Sequence, residues 1–326
     1  MQIKLTVAIP TYNRSALLKN AIDSVLQQTY KDFILLVLDN FSTDETEKVV
    51  KGINDKRIQY IKNETNIGWL NNTNKAIELC ETEYLIIFHD DDMMKPEMLE
   101  NQIHVMENIN IAVAAVNMEL MNEDRVSLNR NFLQIKEDIH FNRFEYIESF
   151  YKKGIVLPCP SVMFRTKFIK DNNIKFNDSV GHCADSYLWN EISTYNTEIY
   201  LIAEPLMNYR YHENESDIQK NLAIGKNYRH QIALHKYSYK LAEKNKLSKT
   251  IPLILFQRDH YLNLLIEDFI NSRISRKEII DEINSEPFYK ISLRFSMKIK
   301  FLLIKVLPLL VIFYIKLKLK IKGIIK

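Results

Sequence analysis

At 326 residues and 46% apolar composition, the chain can bury a full core, as one large or two modest domains. Its six glycines form neither a G-x-x-x-x-G-K-[ST] nor a G-x-G-x-x-G loop, which excludes the commonest ATPase and dinucleotide signals. Ten lysines and arginines and no acid follow Glu286, so against a formal +3 for the whole chain the preceding residues carry −7.

In chain order, Leu5–Ile9 reads as a strand, followed by Pro10-Thr11-Tyr12-Asn13-Arg14 and a helical pattern at Leu17, Leu18, Ala21, Ile22, Val25 and Leu26. A second strand, Phe33–Leu38, ends in Asp39-Asn40-Phe41-Ser42-Thr43-Asp44. A third, Ile58–Ile61, precedes Asn66-Ile67-Gly68-Trp69 and a helix through Asn74, Ala76, Ile77 and Leu79. Tyr84–Phe88 then runs straight into His89-Asp90-Asp91-Asp92. Strands that each end in polar or acidic residues and lead into helices predict a parallel, doubly wound sheet with its site at the strand ends. Adjacent carboxylates repel one another, and a divalent cation that prefers oxygen (Mn²⁺ or Mg²⁺) relieves that repulsion and holds a diphosphate beside it. A solvated turn ahead of Pro96 is the plainer reading of the same run.

Beyond a strand at Ala112–Val116 the pattern is less regular. Phe141–Lys153 reads as a helix, Pro158-Cys159-Pro160 as a stiff loop and Ser161–Arg165 as a strand. Asp185 begins a helix with Leu188, Trp189 and Ile192 on its apolar face, where an N-cap needs no chemistry to explain it. Residues 219–284 read as helices that pack through Ile224, Ile232, Leu234, Tyr237, Leu241, Leu253, Phe256, Leu262, Leu265 and Phe269. In the tail, Lys305 and Pro308 interrupt the apolar stretch Phe301–Leu317. Its longest uncharged run, Val306–Ile315, is ten residues, against about twenty needed to span a bilayer. Basic, apolar and short, the tail is expected to lie on an anionic membrane surface.

Cys80, Cys159 and Cys183 are widely spaced and suggest neither a disulfide framework nor a zinc site, and a strand starts close to the N-terminus with no apolar leader before it. These features predict a cytoplasmic protein, held peripherally on the inner face of the membrane. No basic patch interleaved with aromatics points to nucleic acid.

Ile9-Pro-Thr-Tyr-Asn-Arg14, Asp39-Asn-Phe-Ser-Thr-Asp44, Asn66-Ile-Gly68 and Asp90-Asp91-Asp92 occur in the order and spacing of family 2 glycosyltransferases, which the chain resembles over roughly residues 3 to 215. The resemblance implies an α/β fold of the GT-A type, a Rossmann-like, mostly parallel sheet, here with a helical C-terminal extension. With the helical pattern and the basic tail, the expected division is 1–218 for the catalytic domain, 219–286 for the helices and 287–326 for the tail. It implies a nucleoside-diphosphate sugar donor (UDP or dTDP favoured), a Mn²⁺ or Mg²⁺ ion, inversion at the anomeric carbon and a glycan acceptor, lipid-linked in bacterial lipopolysaccharide, O-antigen or capsule assembly.

By the same resemblance, Pro10, Thr11, Tyr12, Arg14, Asp39, Asn66, Gly68, Asp90 and Arg210 contact the donor. Tyr12 would stack on the nucleobase, Asp39 would accept from a base N–H, and Arg210 would neutralise the diphosphate. Asp91 and Asp92 would hold the metal, and His212 would complete its shell or bond the β-phosphate. Asp185 becomes the catalytic base, with His182 as the rival. Two departures stand out. His89 falls where the family's acidic motif usually begins, so Asp90-x-Asp92 and Asp91-Asp92 are both open as the metal register. Asn72-Thr73-Asn74 lacks the arginine that is common in that segment. A sugar nucleotidyltransferase would be expected to carry a Gly-rich loop at Pro10–Arg14, and a silent membrane-bound scaffold of a glycan assembly complex is the third reading.

Overall fold

The structure, a computed structural model, describes residues 3–211, 226–270, 275–285, 298–300, 302 and 304. The chain divides into two compact units, Met1–Asp178 with Ala184–Glu213, and Ser179–Cys183 with Asn214–Lys326.

The first unit is built on one mixed sheet in the order β3-β2-β1-β4-β9-β6-β10-β5. β1 (Leu5–Thr11), β2 (Phe33–Asp39), β3 (Ile58–Lys62) and β4 (Tyr84–Ile87) run parallel, as do β6 (Ile111–Met121) and β10 (Glu198–Arg210). The short β9 (Met163–Arg165) lies antiparallel to both β4 and β6, the exception within the mostly parallel sheet expected. Three residues of short apolar run carry no signal of direction, because side-chain alternation is the same either way. β5 (Met93–Met94), β7 (Ser127–Asn131) and β8 (Ile139–Phe141) add short antiparallel pairings. Phe141 therefore ends a strand, and the helix expected from that residue begins later, at α5 (Glu145–Lys153).

Both faces of the sheet are covered, which is why the parallel strands read as continuous apolar runs. Leu5, Val7, Ile9, Leu35, Val37, Ile86 and Phe88 pack on one side with α1 (Ser15–Leu26) and α4 (Met98–Met106). Ala8, Leu36, Leu38, Leu85 and Ile87 pack on the other with α3 (Trp69–Leu79) and α7 (Ala184–Ile192). α1 buries Leu18, Ala21, Ile22 and Val25, the i, i+3, i+4, i+7 stripe legible in its sequence. α2 (Thr46–Lys51) and α6 (Thr166–Asp171) complete the helices of this unit.

β1 pairs with β2 from Leu5 to Thr11 but with β4 only from Leu5 to Ala8. Pro10, which has no N–H to donate, falls where β4 has already parted from β1. That parting leaves the carboxyl ends of β1 and β4 open to each other's loops.

In the second unit, α8 (Lys226–Lys244), α9 (Thr250–Ile270) and α10 (Arg276–Ser285) bury Ile232, Leu234, Ala242, Ile254, Leu262, Leu265, Ile266, Phe269 and Ile279. Phe256, expected in this core, is 53% exposed, and Ile224 lies outside the described residues. Arg258 is fully buried and donates through Nε and Nη2 to Asp259 Oδ1 at 3.0 and 2.6 Å. Gly181 has a φ of +55°, and a Cβ there would lie 2.3 Å from the His230 ring, so only glycine fits. No helix among the described residues is long and apolar enough to cross a membrane. The tail of 287–326 lies outside them except for the helical residues 298–300, 302 and 304.

Candidate active site

The carboxyl ends of β1, β2, β3, β4, β6 and β10 fall on one edge of the sheet, and the acidic run lies there, directly after β4. Each of its three acids is held differently. Asp90 is buried; its Oδ2 accepts from Thr11 Oγ1 at 2.7 Å and its Oδ1 from Arg14 Nη1 at 3.2 Å. Asp91 Oδ2 accepts from the same Arg14 nitrogen at 2.7 Å. Asp92 is 1% exposed; its Oδ1 accepts from the Arg210 backbone N–H at 2.8 Å. Its Oδ2 is buried with no hydrogen-bond partner, and His89 Nδ1 stands 3.5 Å away.

The His89 ring pairs with that oxygen only loosely, and a carboxylate so deeply buried favours a closer cation. One ligand atom each from His89, Asp91 and Asp92 lies within 4.8 Å of the others. That group fits a small divalent cation, with His89 a ligand once its ring has given up its proton. His89, the departure in the motif, thus stands where a ligand is needed. His212, the other expected ligand, lies outside the described residues.

Burial pushes the Asp90 and Asp92 carboxyls up, against the Thr11 hydrogen bond on the first and the His89 charge on the second. Burial opposes the charge of His89 in turn, but the Asp92 carboxylate and the Cys159 thiol hold its pKa well above the ordinary histidine value. Asp185 sits in the first turn of α7 rather than at its N-cap, with its Oδ1 taking the N–H of Ser186 at 2.6 Å. Burial raises its pKa as well, and the charge of His89 pulls the other way. Asp185 lies within electrostatic reach of both Cys159 and Tyr146. His182, the rival base, belongs to the second unit, where its Nδ1 meets His230 Nδ1 at 2.8 Å.

Arg210 does not present a free guanidinium to a diphosphate. It is buried, with Nε donating to the Asp91 carbonyl at 2.9 Å and Nη1 to the carbonyl of Glu123 at 2.5 Å. It ties the acidic loop to the loop after β6.

Asp39 is fully buried, its Oδ1 taking the Ser42 N–H at 2.7 Å and its Oδ2 the Tyr60 hydroxyl at 2.5 Å. In this arrangement it shapes the loop after β2 rather than facing a base. Asn40 joins the neighbouring loops: its Nδ2 donates to Asn66 Oδ1, and its Oδ1 accepts from Asn63 Nδ2 and the Ile67 N–H. Asn66 Oδ1 also accepts the Gly68 N–H, and Gly68 enters α3 at φ +81°, a conformation that calls for glycine. Asn13 Oδ1 accepts the Thr43 N–H.

These bonds display Tyr12, Phe41 and Ile67 on successive strand-end loops, and Trp69 at the start of α3, as exposed apolar side chains. Phe41 was not among the expected site residues; its φ of +70° is the signal, and only the folded backbone carries it.

Residues 6–171, half of the 326-residue chain, match the family described as Glycosyl transferase family 2. The chain belongs to that family. An uncharacterized glycosyltransferase of Methanocaldococcus jannaschii is 29% identical over 210 residues, 63% of this chain and 70% of the relative. A GalNAc(5)-diNAcBac-PP-undecaprenol beta-1,3-glucosyltransferase of Campylobacter jejuni is 27% identical over 218 residues, 65% of this chain and 66% of its own length. Among solved structures, S. aureus TarS 1–349 in complex with UDP-GlcNAc aligns with a TM-score of 0.58 and 17% identity, covering 92% of this chain and 79% of that one. A mannosyltransferase from Pyrobaculum calidifontis in complex with GDP-Man and Mn²⁺ aligns at 0.52 with 14% identity, covering 93% and 86%. At these identities the structural matches show the fold, which is of the GT-A type.

Proposed function

We propose that this glycosyltransferase moves a sugar, with inversion and divalent-metal dependence, from a nucleoside-diphosphate donor to a hydroxyl of a lipid-linked glycan. The observation that carries the reading is the convergence of His89, Asp91 and the buried Asp92 at the carboxyl edge of the sheet. A Mn²⁺ or Mg²⁺ ion held there would supply positive charge to the departing diphosphate. Thr11 and Arg14 fix Asp90, and Arg210 fixes Asp91 and Asp92, so the acids are set in place before any ligand arrives.

Asp185 is the residue we assign as base. Its raised pKa suits proton uptake from an acceptor hydroxyl, and His89 links it electrostatically to the acidic group. It would take that proton as the hydroxyl oxygen attacks the anomeric carbon and the diphosphate leaves from the opposite face. Tyr12 offers a face on which the nucleobase would stack, while Asn66 and Gly68 hold the loop beside it.

UDP or dTDP is the favoured nucleotide, and a UDP-sugar complex of a structural neighbour supports that choice. The undecaprenol-linked acceptor named for the Campylobacter relative supports a lipid carrier and a role in surface-glycan assembly. The basic tail supports attachment to the inner face of the cytoplasmic membrane. The test is release of nucleoside diphosphate from a panel of UDP- and dTDP-sugars. Turnover that needs Mn²⁺ or Mg²⁺ is expected, and turnover unaffected by chelator would reject the metal.

A further inference from the structure

The guanidinium of Arg14 touches two acids of the run, Asp90 and Asp91, through a single nitrogen. Among the described residues no other bond of its fork is recorded, and the side chain is 45% exposed. Its backbone is fixed: the Arg14 carbonyl accepts the N–H groups of Leu17 at 3.1 Å and Leu18 at 2.9 Å, starting α1. The head of this side chain can therefore move without disturbing the helix.

Burial opposes its charge, but Asp90 and Asp91 more than restore it, so the guanidinium is always charged. One of its two partners, Asp91, belongs to the group that fits a metal ion, and the other, Asp90, does not. A dication and a guanidinium on the one Asp91 carboxylate repel each other at close range in a largely buried site.

From this geometry we infer that Arg14 is an exchangeable counter-ion. It neutralises the acidic run while no metal is bound, gives up Asp91 when the metal arrives, and then turns its free fork to the diphosphate that the metal brings. The inference rests on the metal-dependent reading above. It adds a second role for Arg14, in which the same charge opposes the metal alone and favours the metal with the nucleotide. Planar guanidinium suits both partners, because carboxylate and phosphate oxygens accept the same fork of N–H donors.

The test is isothermal titration of the full chain and its Arg14→Ala and Arg14→Lys variants, first with Mn²⁺ alone and then with UDP at saturating Mn²⁺. For Arg14→Ala the expected results cross: Mn²⁺ alone binds several-fold more tightly, and UDP on the Mn²⁺-loaded protein binds about tenfold more weakly, the size of one lost charge-assisted contact. Arg14→Lys, which keeps the charge without the fork, should lie between the two.

Unchanged Mn²⁺ affinity in Arg14→Ala overturns the exchange. Weaker binding of both ligands also overturns it and makes Arg14 a structural brace of the acidic loop. Tighter Mn²⁺ with unchanged UDP reduces Arg14 to simple repulsion and rejects its transfer to the diphosphate. If the unaltered chain binds no Mn²⁺ even with UDP present, the metal reading itself fails, which is separate from a failure of the exchange.

Discussion

Asp185 carries the sharpest demand on a single side chain, because burial and charge pull it in opposite directions. Burial holds its pKa above 3.8, its ordinary value, so the folded state binds the proton more tightly than the unfolded chain does. The sign follows by linkage: this carboxyl lowers stability as pH rises from the unfolded pKa through the raised folded one. Asp185→Asn should therefore melt at a higher temperature than the unaltered chain at neutral pH, and the gain should vanish below about pH 4. The same variant should lower turnover on the order of 10²-fold or more with near-normal donor affinity. The acid limb of the unaltered enzyme's rate profile should disappear with it. An unchanged rate would leave Asp185 a helix-start residue only, with His182 next in line.

At the scale of elements, the site depends on loops from distant strands being tied together. Arg210 ends β10 and reaches the loops after β4 and β6, where among the described residues its guanidinium donates to backbone carbonyls. Lysine cannot reproduce that fork. Arg210→Lys should lose about 2 kcal/mol of stability in urea denaturation, the usual size for charged hydrogen bonds that leave buried carbonyls unmet. It should also weaken Mn²⁺ binding, because Asp91 and Asp92 lose their common brace.

The strand-end motifs were legible because each is contiguous: an apolar run, then polar or acidic residues, then a helical stripe. The brace was not, since Asp91 and Arg210 are 119 residues apart and no local pattern couples them. Nor was the inward turn of Asp39, which depends on Tyr60 from the neighbouring strand. The gathering of His89, Cys159 and Asp185 comes from three separate loops and elements, so spacing in the chain gives no hint of it.

For the whole molecule, the uneven charge is the feature with functional weight. The ten basic residues after Glu286 have no acidic neighbour in that stretch, whereas the residues before them are net acidic. Such a tail is drawn to anionic lipid and screened by salt. Removing residues 287–326 should abolish sedimentation with anionic liposomes at low ionic strength while donor hydrolysis persists. Loss of hydrolysis together with lipid binding would instead make the tail part of the folded enzyme.

The central claim is that the acidic group at the carboxyl edge binds a nucleoside-diphosphate sugar through a divalent ion. Thermal unfolding of the full chain with UDP-, dTDP-, GDP- and CDP-sugars, with and without Mn²⁺, tests it most directly, since a ligand of the native state raises its melting temperature. Asp92→Asn is the matched control: it keeps an oxygen for the Arg210 N–H and removes the negative charge. We expect at least one sugar nucleotide to stabilise the chain only when Mn²⁺ is present, and Asp92→Asn to remain folded without showing that shift. Stabilisation of equal size without Mn²⁺, or in Asp92→Asn, would contradict the account.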